Sequence, residues 1–161
     1  MRQILILLLL SGLSALALAV APEKASLSPA ALRELSTHTV TGEVRGIYKR
    51  VGREGSWEVT RHVAEVAVDS NEKGEGLEAD ELVYVRYWTR RWRGPGAPPP
   101  STSGHRGLPE EGDRVRVYLA RNAYDGFTDQ NEDGGYNVIG ANGFELLPEL
   151  RQDGEERPAG R

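Results

Sequence analysis

The chain has 161 residues, a formal net charge of −4 at pH 7 and no cysteine. The missing cysteines exclude disulfides, thiol catalysis and thiolate metal sites, so the fold must be stabilised by packing, an ion or a partner. The acidic balance argues against a protein that is basic throughout, as many nucleic-acid binders are, although residues 83–121 carry eight arginines and three acidic side chains and could form a local basic face.

The N-terminal segment has the pattern of an export signal. Arg2 supplies a positive charge, Ile4 to Leu10 is an unbroken apolar run, and Ala17-Leu18-Ala19 places small side chains where a signal peptidase cuts. We therefore predict a signal peptide over residues 1–19 and an exported protein, periplasmic or extracellular. The alternative is a retained membrane anchor, because the segment approaches the ~17–25 residues that span a bilayer.

Residues 20–38 are predicted to form a linker and one short helix. Ser28-Pro29 is typical of a helix start, because serine caps the free amide groups and proline is tolerated at the first helical position. The helix would continue through Ala30 to Leu35. A helix this short needs packing against the rest of the domain to be stable.

Residues 39–150 are predicted to form a β domain, and the charged residues 151–161 a disordered tail. Alternating apolar and polar side chains indicate strands whose inner positions include Val40, Val44, Val115, Val117 and Leu119. Glycines in the first strand mark positions where a bulge is tolerated. In the second strand the candidate core residues are Val59, Val63, Val66 and Val68. Strands are expected over 39–48, 57–69, 82–88, 114–119, 136–139 and 144–147.

This pattern indicates an all-β fold, a small five- or six-stranded antiparallel barrel with one short N-terminal helix. The order of features resembles the OB-fold. It comprises the glycine-punctuated strand Gly42-Glu43-Val44-Arg45-Gly46, a long second strand, the turn Gly112-Asp113 before the fourth strand, and the closing strand with Gly143-Phe144. The resemblance covers residues 39–148. It implies a barrel face that binds oligonucleotides, oligosaccharides or protein surfaces.

The segment Tyr84 to Arg93 interleaves aromatic and arginine side chains. Planar rings can stack on bases or sugars while guanidinium groups bind phosphate or carboxylate. Two other interpretations are that the arginines cover aromatic faces or pair with acids around a core strand, and that the segment contacts a membrane surface. The predicted ligand-binding residues are Arg86, Trp88, Arg90, Arg91 and Trp92.

A second cluster matches the first half of a calcium loop. Asp129, Asn131 and Asp133 place side-chain oxygens at every second position, and Gly134 permits the sharp turn. The twelfth position is Gly140 rather than a bidentate acid, so this is not an EF-hand. The residues indicate either a structural calcium site or a plain Asx-rich turn; no other cofactor is predicted.

No catalytic motif is present in the sequence. His38, His62 and His105 lack metal-ligand spacing, and no serine lies in a nucleophile elbow. We therefore expect not an enzyme but an exported binding module for an anionic or carbohydrate ligand or a protein partner. An envelope protein or an anionic polymer fits better than nucleic acid, and no stable membrane span is expected after cleavage. The alternative is a structural or membrane-anchored envelope protein with a calcium-stabilised loop.

Overall fold

The computed structural model describes residues 25–100, 103–121 and 135–148. It confirms a mainly β chain with one short N-terminal helix. No helix among these residues is long and apolar enough to cross a bilayer. The predicted signal peptide and C-terminal tail lie outside the described residues. The elements are α1 (Pro29–Leu35), β1 (His38–Glu54), β2 (Trp57–Lys73), β3 (Leu82–Trp92), β4 (Arg114–Arg121), β5 (Tyr136–Val138) and β6 (Phe144–Leu146).

Helix α1 starts and ends as its sequence dictates. The Ser28 hydroxyl accepts a hydrogen bond from the Ala31 amide at 3.2 Å, and Pro29 occupies the first turn. Leu32 is the buried side chain of the helix. At the other end the Lys73 ammonium donates to the backbone carbonyl of Arg33 at 2.6 Å, which satisfies an acceptor that the helix leaves unpaired.

The six strands form one sheet that closes on itself through five of them. The order is β1-β2-β3-β5-β4-β6, and β1 also pairs with β4, which completes the ring. All pairings are antiparallel except β3 with β5, which is parallel, so the sheet is mixed rather than purely antiparallel as predicted. Strands β5 and β6 lie end to end along β4, with residues 139–143 looped out between them.

Strand β1 has three register shifts against β2, between Thr39 and Val40, between Thr41 and Gly42, and between Val44 and Gly46. Both glycines were expected to mark such irregularities, and this is confirmed. The bends let β1 pair with β4 through Glu43 while it pairs with β2 along its whole length. Bulges of this kind increase the local twist and help a small sheet close.

The core fills the inside of the ring and consists mainly of valines. Val63 differs from the expectation, because it lies on the side of β2 that faces away from the core. Val59 lies on the same side of the strand but is buried as expected, at 5% exposed. Their even-numbered neighbours point inward instead, since successive side chains of a strand alternate between faces. Buried side chains of the core include Val40, Val44, Ala64, Val66, Val68, Val85, Tyr87, Val115, Val117, Leu119, Val138 and Phe144.

Candidate functional site

Strands β1, β2 and β3 present a three-stranded surface on the outside of the ring, which we call the outer face. The register between β2 and β3 determines which residues of these two strands lie opposite each other on the outer face. The β1 residues on the same face follow from the β1–β2 register. The β2–β3 pairs are Trp57 with Trp92, Val59 with Arg90, Arg61 with Trp88, Val63 with Arg86, and Glu65 with Tyr84; β1 contributes Tyr48, Arg50 and Glu54.

The structure brings together four of the five predicted ligand-binding residues. Arg86, Trp88, Arg90 and Trp92 share the outer face because they are two residues apart in one strand. Arg91 is on the inner side, directly opposite Glu58 of β2. Alternation alone therefore separates Arg91 from the other four.

An arginine and two tryptophans pack together at the end of the outer face nearest the β1–β2 turn. The Arg90 guanidinium carbon lies 4.5 Å from the ring centroid of Trp57, a cation–π contact. The Trp57 ring meets Trp92 at 5.1 Å between centroids with an interplanar angle of 64°. The Trp92 indole nitrogen donates to the carbonyl of Gly96 at 3.3 Å. Trp57 thus belongs to the cluster, although it lies outside the segment Tyr84 to Arg93 whose composition indicated a ligand site.

Trp88 lies on the outer face but is only 9% exposed, because the segment after β3 packs against its ring at Gly104. The segment after β3 returns along this strand: the Arg90 amide donates to the Ser103 carbonyl at 2.9 Å, and the His105 amide donates to the Trp88 carbonyl at 3.0 Å. The Trp88 amide in turn donates to Nδ1 of His105 at 3.1 Å. The exposed aromatic surface of the outer face is therefore supplied by rings other than that of Trp88.

The far end of the outer face carries a carboxylate between two phenols. The Tyr48 hydroxyl donates to the Glu65 carboxylate at 3.4 Å. A hydrogen bond with Glu65, together with the charge of that carboxylate, raises the pKa of Tyr84. Tyr48 is 59% exposed and Tyr84 is 50% exposed, so both rings remain available to a ligand. This end offers hydrogen-bond acceptors and hydroxyl groups where the other end offers cations.

The inner side of the same strands, near the β1–β2 turn, is charged. Arg93 forms two hydrogen bonds to the Glu58 carboxylate, at 2.8 and 3.2 Å. These bonds lower the pKa of Glu58, and the positive charges of Arg91 and Arg53 act in the same direction. Arg91 therefore contributes to an ion-pair cluster on the face opposite the aromatic rings.

His62 is buried where this charged region meets the core. It is 6% exposed, and its ring stacks on Tyr87 at 4.7 Å. Nε2 lies 3.2 Å from the Thr89 hydroxyl, while Nδ1 has no hydrogen-bond partner among the described residues. Burial lowers the pKa of His62, and the nearby charge of Lys49 adds to this effect.

The lowered pKa of His62 makes stability depend on pH. The unfolded chain binds a proton at this group more readily than the folded chain, so the free energy of unfolding should fall as pH drops below the ordinary histidine value of ~6.5. Above that pH the group should have no effect. Urea unfolding at pH 7.5 and 5.5 measures the change, and His62→Gln should reduce it. Equal pH dependence in the two proteins would contradict the assignment to His62.

The predicted calcium ligands Asp129, Asn131 and Asp133 lie outside the described residues, so a calcium site there stays a prediction. Among residues 25–100, 103–121 and 135–148, no group of three or more histidine or acidic side chains could hold a metal ion. Comparison of the whole chain with known proteins found no match to a family model, to a curated protein or to a solved structure.

Proposed function

We propose that this protein is an exported, non-catalytic module that binds an anionic polysaccharide along its outer face. We infer that the ring is an OB-type barrel. A five-strand ring in the order β1-β2-β3-β5-β4, closed by β1–β4 and with β3 parallel to β5, follows the strand order of that fold. OB barrels bind oligonucleotides and oligosaccharides on the face of strands 2 and 3, where the aromatic and arginine residues lie here.

The observation that carries the proposal is the in-register cluster of Trp57, Arg90 and Trp92 on that face. Indole rings provide flat apolar surface for a sugar ring, and a guanidinium group binds carboxylate or sulfate with two parallel hydrogen bonds. The Trp57–Trp92 pair and the Glu65–Tyr84 pair are separated by eight positions of β2. At ~3.4 Å per residue this is roughly 27 Å, room for several sugar units.

The polarity of the outer face favours a sugar polymer over nucleic acid. Glu65 and its phenol partners can exchange hydrogen bonds with sugar hydroxyl groups, which each unit of an acidic polysaccharide carries and the repeating units of single-stranded DNA do not. Four arginines and two glutamates lie on the face, namely Arg50, Arg61, Arg86, Arg90, Glu54 and Glu65. Positive charge at one end and hydroxyl-binding groups at the other suit a chain of acidic sugars.

Calorimetric titration with polygalacturonate tests the proposal. The wild type should bind, and the double variant Trp57→Ala/Arg90→Ala should bind at least about tenfold more weakly, equal to ~1.4 kcal/mol. Arg91→Ala is the matched control, because it removes an arginine from the same strand but from the opposite face. It should retain the wild-type affinity. A neutral glucan and single-stranded DNA should bind more weakly than polygalacturonate.

Two results would contradict this function. Equal binding by the double variant and the wild type would show that the polysaccharide does not bind at the outer face. Tighter binding of DNA than of polygalacturonate would make the face a nucleic-acid interface instead. Circular dichroism of each variant shows that the sheet is retained, so a loss of binding is not a loss of folding.

A further inference from the structure

One edge of β1 extends beyond the ring. The strand pairs with β4 only through Glu43, yet it continues to pair with β2 as far as Glu54. The Ile47 amide donates to the Glu111 carboxylate at 3.2 Å, so the backbone of residue 47 points away from β2. Because backbone direction alternates in an antiparallel pair, Lys49, Val51 and Arg53 also present their N–H and C=O groups at this edge.

The side chains along this edge are exposed, and Val51 is 63% exposed. Among the described residues, no strand pairs with β1 on this side after Glu43. An exposed strand edge is a template for another strand, and charged side chains on the edge, lysine above all, oppose pairing with strands that do not carry the complementary charge. Here the edge combines an apolar side chain with flanking cations.

The charges decide which kind of strand fits. Lys49 and Arg53 flank Val51 on the same side of β1, and neither forms an ion pair with a described residue. Two copies paired antiparallel about Val51 would place Lys49 opposite Arg53 twice. Like charges directly opposite each other destabilise a strand pair, which disfavours a second copy of this chain. An acidic strand would instead meet opposite charges at both positions.

We propose that the β1 edge binds an extended acidic peptide of a partner protein by β-strand addition. The peptide runs antiparallel to β1 and has the pattern acid–x–apolar–x–acid. Its apolar side chain lies beside Val51, and its two acids lie beside Lys49 and Arg53. Backbone hydrogen bonds to residues 49, 51 and 53 supply affinity, and the alternate side chains supply specificity.

A fluorescent peptide with the core Glu-Thr-Val-Thr-Glu tests this directly. Only the backbones of the Glu and Val residues face β1 in the proposed register. N-methylation of Val should therefore weaken binding at least tenfold, whereas N-methylation of either Thr should leave it within about threefold. Fluorescence anisotropy with the wild-type protein measures the affinities of the unmodified peptide and of the three methylated ones. Equal effects of the two kinds of methylation would overturn strand addition, as would failure of the unmodified peptide to bind.

A charge exchange tests the assigned contacts. The double variant Lys49→Glu/Arg53→Glu should lose the acidic peptide and bind the peptide Lys-Thr-Val-Thr-Lys, which the wild type should not bind. Arg50→Glu is the matched control, since its side chain projects to the outer face, and it should change affinity only a few-fold. If the double variant keeps its affinity for the acidic peptide, the charge contacts are wrong.

Two further measurements distinguish the acidic-peptide proposal from dimerisation at the same edge and from polysaccharide binding at the outer face. Sedimentation of the wild type should show a monomer; a dimer abolished by the Lys49→Glu/Arg53→Glu substitutions would make a second copy the occupant and overturn the acidic partner. Polygalacturonate binding should survive these substitutions, because they leave Trp57 and Arg90 unchanged. The peptide-binding proposal and the polysaccharide-binding proposal can therefore be tested independently of each other.

Discussion

The Gly42→Ala variant should lose about 3 kcal/mol or more of the free energy of unfolding. A Cβ atom at Gly42 would lie 2.2 Å from the carbonyl oxygen of Ala67 and 2.8 Å from a methyl group of Val66. The nearer atom belongs to the backbone of β2, so the clash cannot be relieved by rotating a side chain. It occurs at the bulge where β1 turns between its two partner strands.

Gly46→Ala is the matched control for Gly42→Ala. A Cβ atom at Gly46 would meet only the Tyr48 side chain, at 3.8 Å, an ordinary contact. The control should change stability by less than about 1 kcal/mol, because alanine also lowers the entropy of the unfolded chain. Urea unfolding followed by circular dichroism compares the two variants. Equal losses of unfolding free energy in both variants would mean that the close approach of β1 and β2 at Gly42 does not cause the destabilisation.

The second large effect is expected for His105→Ala, which should cost about 2–5 kcal/mol. His105 is 4% exposed. Its Nε2 lies 3.0 Å from the Val138 carbonyl, which can only accept, so Nε2 carries the hydrogen. Nδ1 lies 3.1 Å from the Trp88 amide, from which it accepts in this tautomer, and 3.0 Å from the Trp88 carbonyl. Alanine would leave a buried donor and a buried acceptor unsatisfied at once.

Arg106→Ala provides the control for His105→Ala, since it removes an exposed side chain from the next residue. It should change the free energy of unfolding by less than about 0.5 kcal/mol. Differential scanning calorimetry of both variants measures the difference. A His105→Ala protein as stable as the wild type would show that this residue does not link the segment after β3 to β5.

The position of His105 also connects stability with the outer face. The same residue that bonds to Val138 holds the backbone of Trp88, next to the Arg90 side chain that covers Trp57. A protein that loses this link should therefore bind polygalacturonate more weakly even when it is still folded. Binding by the Arg106→Ala variant should be unchanged.

Much of the fold could be predicted because strand patterns are local. Val40, Val44, Val115, Val117 and Leu119 were expected on the inside and are buried there. Strand β2 was harder to interpret, because valines occur at both odd and even positions and a period of two does not say which set faces the core. The parallel β3–β5 pairing could not be predicted, since β5 is a three-residue strand whose partners are remote in sequence.

The sequence by itself determined which parts of the chain form strands, where β1 bends, and that Arg86, Trp88, Arg90 and Trp92 share one face. These properties follow from side-chain alternation and from glycine, which act between near neighbours. Only the tertiary structure decided that Trp57 joins Trp92, that Arg91 lies opposite Glu58, and that Trp88 is covered by the returning segment with His105. Those relations depend on hydrogen-bonded register and closure of the ring, which join distant residues and leave no local signal in the sequence.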